Sequence, residues 1–89
     1  MFRMWAKIIK NNKIIKDMIV ANQDKNLRRT QKVFQAIDEV CDTYDLSKPI
    51  WLDSTINDFK IHRKTRFTQD NFIDQIDFDY LEIEMIEED

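Results

Sequence analysis

Glycine is absent from this chain, and proline, cysteine and histidine occur once each. Each scarcity removes a class of function. Without glycine there is no phosphate-cradling loop and no dinucleotide fingerprint, since both need backbone that a Cβ would block. Backbone positions with positive φ then fall to asparagine. The single Cys41 has no internal disulfide partner and, with no apolar signal segment, reads as a reduced intracellular thiol. One histidine, His62, rules out a multi-histidine metal centre. No apolar run approaches the roughly 20 residues that span a bilayer, so membrane is not an expected partner and the cytoplasm is the expected location. Basic residues are also missing, but only locally: none follows Arg66.

What the chain has is that asymmetry. Its 14 basic residues all lie in residues 1–66, whereas nine of its 17 acidic residues lie after them. The end of the chain, residues 77–88, alternates with period two, which marks a strand with unlike faces. Leu81, Ile83 and Met85 point one way; Tyr80, Glu82, Glu84 and Ile86 point the other. Such a strand pairs best with basic neighbours.

The first 20 residues provide them. Residues 5–10 and 13–20 are rich in lysine and β-branched residues and flank Asn11 and Asn12, which fit a two-residue type I′ turn. The simplest register pairs Ile8 with Ile15 and Met4 with Ile19 on one face. It sets Lys7 opposite Lys16 and Ile9 opposite Ile14 on the other. Like charges facing each other repel, and Glu82 and Glu84 would relieve them if the last strand joins this sheet, beside the first strand in preference to the second. The hairpin spans residues 2–20, or it starts at Met4 with Met1, Phe2 and Arg3 as a frayed extension.

Residues 27–44 form the clearest helix, with Val33, Phe34, Ile37, Val40, Cys41 and Tyr44 on one stripe. Asp24 or Asn26 is its candidate cap. Arg28, Arg29 and Lys32 open this helix and Asp38, Glu39 and Asp42 close it, opposite in sign to what the helix dipole favours. Lys48 and Pro49 break the chain. Residues 50–52 read as an extended plug and 54–62 as a second helix capped by Asp53. Residues 63–66 read as a basic connector and 69–75 as a short third helix capped by Thr68. The expected fold is therefore α+β in ββααβ order, with that third helix before the last strand. A three-stranded, mostly antiparallel sheet would carry helices on one face, all in one small domain of residues 1–89. The expected core is Met4, Ile8, Ile15, Ile19, Phe34, Ile37, Val40, Cys41, Trp51, Ile56, Phe59, Phe72, Leu81, Ile83 and Met85. A chain this short buries roughly 60–65% of its unfolded surface, enough for one core.

Residues 49–52, 59–60, 66–73 and 76–83 (Pro49-Ile50-Trp51-Leu52, Phe59-Lys60, Arg66-Phe67-Thr68-Gln69 onward, and Ile76-Asp77-Phe78-Asp79 onward) resemble a family of short uncharacterised proteins from anaerobic Gram-positive bacteria. The resemblance implies a bacterial cytoplasmic protein and assigns no activity.

Four constellations carry possible chemistry. Lys60, His62, Arg63, Lys64 and Arg66, extended by Arg28, Arg29 and Lys32, could bind nucleic acid or another anion. The plainer reading is that they neutralise the acidic tail. Asp70, Asp74, Asp77 and Asp79 are oxygen-rich but lack the spacing of a calcium loop. Cys41 and His62 are a nucleophile and base on paper, yet Cys41 lies on the buried stripe. Neither a catalytic constellation nor a cofactor or metal is expected. Trp5, Ile9, Ile14, Met18, Tyr80 and Ile86 fall on the sheet face away from the helices. They make self-association, as a homodimer or with another protein, the leading expectation, with anion binding as the alternative.

Overall fold

The computed structural model describes residues 1–88. The chain runs β1 (Phe2–Lys10), β2 (Lys13–Asn22), α1 (Arg29–Tyr44), α2 (Asp53–His62), β3 (Lys64–Phe67), a 3₁₀ turn (Gln69–Asn71) and β4 (Tyr80–Glu87). The strands form one antiparallel sheet in the order β2-β1-β4-β3. The fold is thus small and α+β, with four strands in ββααββ order.

Two elements differ from the sequence reading. The basic connector is a strand: Lys64 and Arg66 point outward while Thr65 and Phe67 are buried, and the segment pairs with β4. The expected third helix is only a single 3₁₀ turn. Its backbone partners are taken by side chains instead, because Gln69 Nε2 donates to the Asp74 carbonyl (2.8 Å) and Gln69 Oε1 accepts from the Ile76 amide (2.9 Å). Thr68 does stand at its start, with its N–H and hydroxyl both donating to Asn71 Oδ1.

The hairpin turns at Asn11 and Asn12, both with φ near +60°, as a type I′ turn requires. Positive φ also occurs at Asp45 and Arg63, where α1 and α2 end in left-handed caps. In a chain without glycine, asparagine therefore does not hold this conformation alone. Asp24 and Asn26 do not cap α1: Asn22 and Asp24 accept the amides two residues on, and the Arg28 amide is taken by Gln31 Oε1 (2.9 Å). Leu52, not Asp53, stands at the N-cap of α2.

The hairpin register holds beside the turn, where Ile9 faces Ile14, and then slips by one. Ile15 is the extra residue of a β-bulge, so Ile8 faces Lys16 and Lys7 faces Asp17. Every later residue of β2 therefore lies on the face opposite to the one expected. Val20 and Met18 turn inward, and Ile15 and Ile19 are exposed rather than core. The slip also replaces the Lys7–Lys16 repulsion with an opposite-charge pair.

The core lies between one face of the sheet and both helices. Met4, Ala6, Ile8, Val20, Phe67, Leu81, Ile83 and Met85 from the strands meet Val33, Ala36, Ile37, Val40 and Cys41 of α1 and Phe59 of α2. Phe2 is part of it at 2% exposure, so the first residues are not frayed. Phe34, expected inside, is 47% exposed, and Ile56 is half-buried, because α1 and α2 leave a groove between them. Trp51 packs edge-on to Phe34, Phe59 and Phe67 at centroid distances of 6.0, 5.7 and 5.1 Å, joining both helices to β3.

Candidate functional site

The sheet face turned away from the helices carries an interlocked set of charges. Lys7 sits at its centre, opposite Asp17 on β2 and Glu82 on β4. Its Nζ donates to Glu84 Oε1 at 3.1 Å and lies 3.9 Å from the Trp5 ring centroid. The Trp5 indole donates in turn to Asp17 Oδ2 (2.9 Å). On the far side Lys64 Nζ is 3.8 Å from Glu82, and the Arg66 guanidinium stacks 4.6 Å from the Tyr80 ring. These neighbours cover one another so well that Lys7 and Glu82 are both buried. Pairing is what makes such burial affordable, since an unpaired ammonium there would carry its full desolvation cost.

Of the residues expected to form an apolar association face, Trp5, Ile9, Ile14 and Tyr80 are on it. Ile9 is buried, and Trp5 and Tyr80 are half-buried under the charges just described. Met18 faces the core and Ile19 takes its place. Ile86 is exposed beside a second bulge, where β1 slips against β4 between Arg3 and Met4. The face is thus a saturated polar network with apolar residues at its margin.

The basic residues do not form a free patch. Arg63 Nη2 is 3.3 Å from Glu88, Arg29 Nε is 2.8 Å from the same carboxylate, and Lys64 and Arg66 belong to the network above. Lys32 is buried. Arg28, Lys60 and His62 are exposed, on two different helix ends. The structure therefore divides this set between a clasp on the tail, the sheet face and the solvent.

Asp79 is also engaged: its Oδ2 accepts the Asn11 amide (2.8 Å) and its own amide donates to the Ile9 carbonyl (2.9 Å), fastening the start of β4 to the hairpin turn. Among the described residues Asp70, Asp74, Asp77 and Asp79 are not gathered into a metal-holding cluster. Cys41 is fully enclosed, and burial pushes its thiol up from 9.0 to about 11, with Asp38 and Asp42 reinforcing the shift and Lys48 opposing it. A neutral, sealed thiol is a poor nucleophile, and His62 lies exposed on the last turn of α2.

The surfaces left unsatisfied are the sheet's two edges. β3 is four residues long and lies against α2, which shortens and protects that edge. β2 is ten residues long, ends the sheet, and exposes Ile14, Ile15 and Ile19 at 50–55%. The sequence reading missed this concentration, because the bulge that turns Ile15 and Ile19 outward leaves no local signature. No helix among the described residues is long and apolar enough to cross a membrane. No family model, characterised protein or solved structure matches the chain.

Proposed function

We propose that the protein is a non-enzymatic interaction module that works through the free edge of β2, pairing it with the β2 edge of a second copy. The observation that carries this reading is a ten-residue edge strand bearing three exposed isoleucines. Unpaired strand edges are templates for a further strand, and proteins usually blunt them with charge, proline or bulges. Here the bulge, Lys13, Lys16 and Asp17 blunt the half nearest the turn; residues 18–22 carry no charge and no proline.

A two-fold axis normal to the sheet keeps each face continuous across the pair, so a residue must meet one of the same face. Centring the pair on Ile19 sets Ile19 against its own copy, Met18 against Val20 and Asp17 against Ala21. Centring it on Asp17 would oppose two carboxylates, which repel. The open face supports an edge over a face-to-face contact, because its charges are already paired within one chain.

Hydrogen exchange across a concentration series tests the proposal. The outward-pointing amides of residues 16–22 should gain protection as the protein is concentrated, and Ile19→Lys should abolish that gain without unfolding the chain. Exchange in β2 that is independent of concentration would overturn it.

A further inference from the structure

Two features elsewhere on the molecule match each other. The first is the arch of residues 68–79 between β3 and β4. Its feet are fixed by Phe72 and Phe78, both buried and edge-on at 6.2 Å, and its span is closed by the Gln69 side chain bonded to Asp74 and Ile76. At its crown Ile73 is 84% exposed, more than any other large apolar residue described, with Asp70 and Asp74 exposed on either side. A slack loop would fold such a side chain back onto the protein. Here the Gln69 bonds and the buried Phe72 and Phe78 brace the backbone with Ile73 turned outward.

The second feature is the groove between α1 and α2, about 290 Å³ in volume. Phe34, Trp51 and Ile56 line its apolar part, and Arg29 and Lys60 stand at its rim. The floor is stiff because Trp51 is held edge-on by three aromatic rings. Arg29 is committed to Glu88, whereas Lys60 has no ion-pair partner among the described residues.

We infer that the arch of one copy docks in the α1/α2 groove of a second, placing Ile73 on Phe34 and Trp51 and Asp74 against Lys60. An apolar tip flanked by acids meets an apolar slot with an unpaired base at its rim, so polarity and sign agree. The contact joins two different patches, so it is head-to-tail and closes into a ring only if its rotation permits. It uses neither edge of the sheet and stands apart from the β2 pairing.

Sedimentation velocity and the NMR signal of the Trp51 indole test it together. As wild-type protein is concentrated at low salt, the Trp51 indole resonance should shift and the sedimentation coefficient rise. Ile73→Asp should weaken that association at least about tenfold, the effect of losing one buried aliphatic side chain. Lys60→Glu and Asp74→Lys, both on exposed residues, should each weaken it, and the two changes in one chain should restore it. In a mixture, an Ile73→Asp chain supplies an intact groove and a Lys60→Glu chain an intact arch, and the Trp51 indole of the former should shift. A Trp51 resonance independent of concentration overturns the inference. So does a Trp51 shift indifferent to Ile73→Asp, and so does failure of the charge swap to restore that shift, which would mean that the groove takes a different acidic partner.

Discussion

Replacing Asn71 with alanine should do more damage than its place in a surface turn suggests. Asn71 is 3% exposed, and its amide closes three connections. Nδ2 donates to the Ile50 carbonyl (2.8 Å) and to Thr55 Oγ1 (3.0 Å), and Oδ1 accepts the Thr68 amide (3.0 Å). One side chain thereby joins the extended segment before α2, the first turn of α2 and the 3₁₀ turn. Asn71→Ala leaves the Ile50 carbonyl and the Thr68 amide without these partners, at about 1–3 kcal/mol for each buried group. Both are only part-buried and water recovers some of that, so we expect a loss of roughly 2–4 kcal/mol. For a chain of this size that lowers the melting temperature by roughly 10–20 °C, measurable by circular dichroism with urea titration as a check. Asn71→Asp sharpens the test. The carboxylate keeps the acceptor for Thr68 but supplies no donor and sets negative charge against the Ile50 carbonyl. That site favours the neutral form and raises the folded pKa of the introduced carboxyl. The penalty relative to wild type is then full at pH 7 and shrinks as pH falls toward the unfolded value of about 3.9. An Asn71→Ala loss below about 0.5 kcal/mol, or an Asn71→Asp penalty that ignores pH, would show that Asn71 holds nothing together.

Deleting residues 78–89 removes the strand between β1 and β3 together with Phe78, Leu81, Ile83 and Met85, and should leave a chain with no cooperative melt; a sharp transition would contradict the topology. Because the folded pKa of Cys41 is raised from 9.0 to about 11, its share of stability is present below pH 9 and lost as pH rises toward 11. Cys41→Ala should flatten that part of the stability profile, and a thiol reagent at pH 8 should label the wild type far more slowly than the urea-unfolded chain. Changing Arg63, Lys64 and Arg66 together to glutamine should cost roughly 0.2–1 kcal/mol for each exposed pair lost, and less in high salt. Micromolar binding of short RNA by the wild type, abolished in that triple variant, would instead favour the anion-binding alternative.

The parts of the fold legible in sequence were those specified by more than one signal. Asn11 and Asn12 marked the turn by conformation, and the flanking β-branched residues marked the strands. Alternation and charge drew β4 into the hairpin's sheet without choosing between β1 and β2, and the Lys7–Glu84 contact shows the choice the fold makes. β3 was missed although Lys64, Thr65, Arg66 and Phe67 alternate correctly, because four residues of which two are cations read equally well as a connector. The bulge at Ile15 was not legible. Two neighbouring isoleucines satisfy either register locally, and the choice is made by Val20, Met18 and Asp17 finding better partners across the sheet. The arch was misread as a helix because its decisive bonds come from the Gln69 and Asn71 side chains, which periodicity does not register.

The reversed charges on α1 have a tertiary explanation that can be tested by separating the helix from the fold. At its start Arg29 reaches Glu88, a carboxylate that Arg63 at the end of α2 also holds, so the tail after β4 is clasped between the two helices. At its end Lys48 Nζ lies 3.0 Å from Asp42 and 3.7 Å from Asp38 and donates to the Asp38 carbonyl, which draws the chain back just before Pro49. Within the fold Arg29, Asp38 and Asp42 are met by partners outside the helix. In an isolated peptide of residues 27–46 both Glu88 and Lys48 are missing, and a helix of this length is marginal even with favourable charges. Each cation in the first turn then opposes the dipole by about 0.3–1 kcal/mol. Arg29→Glu should therefore raise the helicity of the peptide. In the whole protein the same change sets a carboxylate against Glu88 and should lower stability, by about 1 kcal/mol or less for so exposed a site. Circular dichroism of the peptide and urea unfolding of the protein should thus move in opposite directions. If both rise, the dipole governs this helix in the fold as well, and the clasp on Glu88 contributes nothing to holding β4 in place.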